Sequence, residues 1–137
     1  MKKMVKLEGM DKFVFDTGSA YTKFSRSDSN QPLSVIPTLV GRVIHEMRFI
    51  GKEYPSYYVG EEAYINRNLK GFVRLDLSQP VQRSLIQNMD DIERIYQHCF
   101  YNIANACPEE SAVLVSQIES LDTNQTRKWP SITHKLC

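Results

Sequence analysis

The sequence predicts an α/β fold, and three observations carry that prediction. A short aromatic and β-branched run, Lys12-Phe13-Val14-Phe15-Asp16, breaks at Thr17-Gly18-Ser19 and reads as a buried strand running into a tight turn. Ile92, Ile95, Tyr96, Cys99, Phe100 and Ile103 recur at spacings of three and four. They mark one buried face of a helix of about five turns. The continuous apolar run Ala112-Val113-Leu114-Val115 then reads as a strand of the kind that parallel sheets bury on both faces. Helix followed by strand implies a βαβ-like crossover. At 137 residues the chain can bury one core of a sheet and a few helices, but not a two-domain catalytic cleft.

Taken in order, Tyr21-Thr22-Lys23-Phe24-Ser25 alternates at period two and should return antiparallel to the first strand, with a hairpin tip from Thr17 to Ala20. A polar loop from Arg26 to Gln31 follows. Leu33 to Val40 reads as a third strand, placed at an edge or bulge by Pro37, which has no N–H for a central ladder. Arg42 to Tyr58 mixes charges, aromatics and a proline without a clean period and reads as a small exposed hairpin or flap. Gly60-Glu61-Glu62-Ala63 starts a short helix, acidic in its first turn, that ends near Lys70-Gly71. Asn88 is placed to cap the long helix, and Pro108-Glu109-Glu110 breaks the chain before the last strand. Beyond Ser116 the sequence is polar and has no long period.

Lys plus Arg number 17 against 16 Asp plus Glu, leaving a net charge of +1 and no whole-chain field toward nucleic acid or anionic lipid. Neither direct nucleic-acid binding nor membrane association is therefore expected. Apolar runs of four or five residues fall far short of a bilayer span, and Met1 to Lys6 leads to Glu8 instead of an apolar signal core. Cys99, Cys107 and Cys137 form no CxxC and cannot all pair, which suits a reducing compartment and leaves the Asn124-Gln125-Thr126 sequon unused. His45, His98 and His134 have no metal-ligand spacing, so no transition metal is predicted. Asp90 and Asp91 are better explained by helix capping and the helix dipole than as paired catalytic acids.

The sharpest local motif is Phe13-Val14-Phe15-Asp16-Thr17-Gly18-Ser19. An aspartic protease uses such a stretch to present one carboxylate of a shared-proton dyad, which a second copy of the chain would complete. A phosphate-holding hairpin uses it differently, with small residues bringing backbone N–H groups to phosphates and the Asp orienting water around Mg²⁺. A plain hairpin turn is the third reading. The long amphipathic helix and following apolar strand disfavour the protease, whose retroviral type is almost wholly β. Lys23, seven residues after Asp16, could reach a phosphate held at the tip.

The order Val14-Phe15-Asp16-Thr17-Gly18-Ser19, Lys23, Ile36-Pro37-Thr38-Leu39-Val40-Gly41-Arg42 and Tyr58-Val59-Gly60-Glu61-Glu62-Ala63 resembles the N-terminal part of actin and actin-related proteins. Asn88-Met89-Asp90-Asp91-Ile92-Glu93-Arg94-Ile95, His98, Phe100-Tyr101-Asn102, Pro108-Glu109-Glu110 and Val113-Leu114-Val115 continue it in order. The resemblance covers about Lys12 to Lys128. It implies a partial actin-like ATPase fold of the ribonuclease H-like type: the first large subdomain with a small inserted one. Residues 1–128 would form this N-terminal half, 43–70 the small insert and 129–137 a divergent tail.

The resemblance further implies that Asp16 orients the waters of a nucleotide-bound Mg²⁺. Gly18, Ser19, Ala20 and Tyr21 would lie along the ATP phosphates with Lys23 facing them. No catalytic residue is assigned, because the second half that would complete the site is absent from this sequence. Three positions depart from the family pattern. Ala20 replaces a second loop glycine, so a positive φ there would cost about 1 kcal/mol or more. Thr17 replaces the usual Asn, and Arg83-Ser84 replaces a His-Gly pair. The implied function is that of a divergent actin-related, ATP- and Mg-associated cytoskeletal or chromatin-complex protein, cytoplasmic or nuclear. Its implied partners are actin or actin-related proteins and a chaperonin. The alternative is an interaction fragment that binds actin-fold partners or chaperones without nucleotide.

Overall fold

The computed structural model describes residues 9–45, 55–68 and 73–116. The N-terminal leader, the middle of the Arg42–Tyr58 flap, the helix end at Lys70-Gly71, the sequon and the tail lie outside the described residues.

The first two strands form the predicted hairpin. β1 (Asp11–Thr17) and β2 (Tyr21–Arg26) pair antiparallel, with Phe15 opposite Phe24 and Asp16 opposite Lys23. Alternation sends Phe13, Phe15, Thr22 and Phe24 to the buried face. β3 (Ser34–Pro37) pairs with β2 at the sheet edge, where the missing N–H of Pro37 does no harm.

The expected single strand from Leu33 to Val40 is in fact two. Leu39 N donates back to Pro37 O at 2.8 Å, the chain bends, and β4 (Val40–His45) starts a second sheet. The bend is held by Thr38, whose buried hydroxyl lies 2.9 Å from that of Thr22. β4 is the central strand, flanked antiparallel by β5 (Tyr57–Val59) and β6 (Val73–Ser78). Helix α1 (Glu61–Ile65) starts after Gly60, whose φ of 64° and ψ of −128° suit glycine alone, and runs on as a 3₁₀ turn from Asn66 to Asn68.

β7 (Val81–Gln82) and β8 (Leu85–Ile86) form a small hairpin joined by Arg83 and Ser84, with φ of 50° and 64°. Two successive left-handed residues match the right-handed twist of a hairpin, a geometry that glycine or asparagine would adopt with less strain.

Helix α2 (Met89–Gln97) begins as predicted, with Asn88 Oδ1 accepting from the amides of Asp90 and Asp91 at 3.1 and 3.2 Å. It continues as a π-helical segment from His98 to Ala104 and stops at Asn105, which is left-handed at φ 49°. β9 (Ser111–Ser116) then pairs parallel with β1 in the register Asp11 to Ser111 through Asp16 to Ser116, as the crossover reading requires. The sheet order is β3-β2-β1-β9.

β9 is not buried on both faces. Among the described residues it is an edge strand, and Leu114 points outward with 66% of its surface exposed. Val113 and Val115 pack on the core from the other face. That core lies between the sheet and α2. Phe13, Phe15 and Phe24 meet Ile92, Ile95, Tyr96, Cys99 and Phe100, all fully or almost fully buried, while Ile103 is only partly buried at the margin. Phe15 stacks on Tyr96 at 4.1 Å and on Phe24 at 4.5 Å, and each such ring contact adds about 0.5–1.5 kcal/mol beyond the area it buries.

Candidate functional site

Asp16 faces outward because its neighbours Phe15 and Thr17 turn inward, toward the aromatic core and Tyr96. Pairing places Lys23 directly across from it, with Nζ 3.8 Å from Oδ2 and both side chains more than half exposed. The other carboxylate oxygen, Oδ1, accepts a hydrogen bond of 2.7 Å from the hydroxyl of Ser116 on β9. The two oxygens thus have different partners, one fixed by the sheet and one facing solvent and a cation. Ser116 was not singled out by its sequence context: only the parallel register of β1 and β9 brings it to Asp16, 100 residues away.

The hairpin tip is tight. Gly18 N donates to Tyr21 O at 2.9 Å, and a Cβ on Gly18 would lie 3.1 Å from that same oxygen, so glycine lets the backbone close. Ser19 and Ala20 stand exposed at the tip. Ala20 O accepts from Thr38 N at 2.9 Å, which ties the tip to the bend between the two sheets. Among the described residues, the non-glycine positions with positive φ are Arg83, Ser84 and Asn105, so Ala20 carries no left-handed strain. Its Cβ is accommodated without the conformational penalty expected for a replaced glycine. Tyr21, 57% exposed, flanks Lys23 on the outward face of β2.

Thr17 fixes the base of the tip from below. Its hydroxyl lies 2.9 Å from that of Tyr96, which is buried in α2 and whose ionisation burial opposes, so the phenol stays neutral. The Asp16 hairpin is therefore held by β9 through Ser116, by α2 through Tyr96 and by the inter-sheet bend through Thr38.

Such an arrangement has limited chemistry. The described residues contain no group of three or more His, Cys, Asp and Glu side chains that could hold a metal by themselves. A lone exposed carboxylate does fit Mg²⁺, which keeps several waters and takes its remaining ligands from phosphate oxygens. Lys23 is a cation at the same end of the sheet, and an ion pair as exposed as that with Asp16 holds it weakly. The hairpin backed by α2 and a parallel strand gives the protease reading no support.

A sheet of order β3-β2-β1-β9 with an acidic hairpin at its end and a small second sheet inserted before α2 defines an α/β architecture. The family model of actin matches residues 7–132. Over 105 residues the chain is 31% identical to Actin-related protein 2 of Arabidopsis thaliana, a stretch that covers 75% of this chain and 26% of that relative. This protein belongs to the actin family, and the part described has a partial actin-like fold. It spans about a quarter of the length of the curated relative it matches.

Proposed function

We propose that the chain is a divergent actin-related component that associates weakly with Mg-ATP through the Asp16 hairpin and does not hydrolyse it alone. The observation that carries this reading is the Asp16 carboxylate, held by Ser116 on one oxygen and open on the other, opposite Lys23. Gly18, Ser19, Ala20 and Tyr21 would line the phosphates, Lys23 would face them, and Asp16 would order the waters of Mg²⁺. Bound nucleotide supplies the phosphate charge that joins the metal to this hairpin. Hydrolysis needs in addition a group that places the attacking water in line, and the described residues around Asp16 offer none.

The partners proposed are actin-fold proteins and a folding chaperonin, in the cytoplasm or in a nuclear complex. A second reading, an interaction fragment that works without nucleotide, is favoured by one observation: β9 is an edge strand among the described residues, with Leu114 exposed. Calorimetric titration with Mg-ATP separates the two. The nucleotide reading expects saturable binding with Kd of about 0.1–1 mM, weak because phosphate at an open hairpin stays solvated. The absence of any saturable heat would leave the interaction reading.

A further inference from the structure

A second candidate site shares no residue with the Asp16 hairpin. Between β5 and the α2 helix with its π-helical continuation lies an open cleft of about 350 Å³. Tyr57 and Tyr58 line it from β5 and Tyr101 from the π-helical segment, whose wider turns set the direction in which Tyr101 and Asn102 project. Tyr57 and Tyr101 are 41% and 48% exposed, so both rings offer surface to an incoming group. A smaller cleft of about 180 Å³ shares Tyr57, Arg94 and Gln97 with the first and is lined also by Asp90 and Glu93. Together they make one trough, tyrosine-walled at one end and acidic at the other.

Arg94 does not turn this trough into an anion site. Its guanidinium covers the Tyr57 ring at 4.1 Å and lies 3.8 Å from the buried carboxylate of Asp91, so its charge is already opposed. Glu62 at the tyrosine end adds a further negative charge.

We propose that this trough binds a proline-rich segment of a partner protein, with prolyl rings against Tyr57, Tyr58 and Tyr101 and a flanking Arg or Lys beside Asp90 and Glu93. A polyproline helix is preformed and loses little entropy on docking. Its carbonyls have no internal partners and can accept from the hydroxyls of Tyr57 and Tyr58 and from the amide of Gln97. One turn is three residues and about 9 Å long, a size that a cleft of this volume accommodates.

The test is fluorescence anisotropy of the full chain with a labelled polyproline peptide that ends in an arginine pair. Saturable binding is expected. Tyr101→Ala should weaken it about tenfold, as loss of a ring contact implies. Glu93→Gln, a change of the same size and shape at a half-buried helix position, should weaken it about threefold at low salt and have no effect at high salt. A peptide ending in glutamates should bind less well than the arginine form. Absence of saturable binding, an unchanged affinity in both variants, or equal affinity for the two peptides would overturn the proposal.

Discussion

The guanidinium of Arg42 on β4 reaches the fully buried carboxylate of Asp91 on α2 at 2.6 Å, joining the inserted sheet to the helix behind the main sheet. Arg94 approaches the same oxygen at 3.8 Å, and Asp91 Oδ2 and Arg94 Nε are buried without hydrogen-bond partners among the described residues. A buried carboxylate held this way depends on its cation, because removing one partner exposes the whole desolvation penalty. Arg42→Ala should lower stability by about 2–3 kcal/mol, less than for an isolated pair because Arg94 remains. The midpoint of urea unfolding measures it; a change below about 0.5 kcal/mol would show that the contact is peripheral.

The β7–β8 turn stores strain that can be released. Arg83 and Ser84 both take left-handed backbone without being glycine. Ser84→Gly should raise the unfolding free energy by about 1 kcal/mol, where glycine elsewhere in a strand would lower it. Gly60→Ala should do the opposite, since φ is positive there and the new Cβ would sit 3.3 Å from Ile36 Cβ.

Alkaline pH should destabilise the protein through two buried acids. Burial pushes the Cys99 thiol up to about 12, and burial above all raises the Tyr96 phenol as well. In the unfolded chain the thiol ionises near about 8.5, so the unfolded state releases its proton first. Stability should therefore be full below about pH 8.5 and fall as pH rises toward 12. Urea unfolding at stepped pH should show this, with a shallower fall in Cys99→Ala. At neutral pH a thiol reagent should label exposed Cys107 quickly and Cys99 only on unfolding.

The edge of β9 that is open among the described residues should drive self-association. A strand with one edge unpaired among the described residues and a leucine 66% exposed is a template for further pairing. Leu114→Lys should reduce both sedimenting oligomers and hydrophobic-dye fluorescence; an unchanged profile would place the association elsewhere.

What the sequence made legible is whatever repeats locally. Phe13 and Phe15, Thr22 and Phe24, and the Ile92 to Phe100 stripe all report burial by period, and Asn88 reports its cap by position. Apolarity does not report which sheet a residue joins, so the run from Leu33 to Val40 hides the crossing at Thr38-Leu39. Val73-Arg74-Leu75-Asp76-Leu77 carries a period-two signal, but only pairing with β4 identifies its sheet. Asp91 satisfies the rules of a helix first turn so well that nothing local betrays its burial under Arg42. Ser116 becomes part of the site solely through the parallel register with Asp16. Asp16, Lys23 and the Gly18 turn were legible because a hairpin is a local structure, and the contacts that hold them were not, because all are long-range.

The most direct test of the central claim is a pair of calorimetric ATP titrations on wild type and Asp16→Asn, one in Mg²⁺ and one in EDTA. If Asp16 orders the metal's waters, the variant should lose about tenfold in affinity in Mg²⁺ and less than about twofold in EDTA, where no metal is there to order. An equal loss in both conditions, or none in either, would contradict the account.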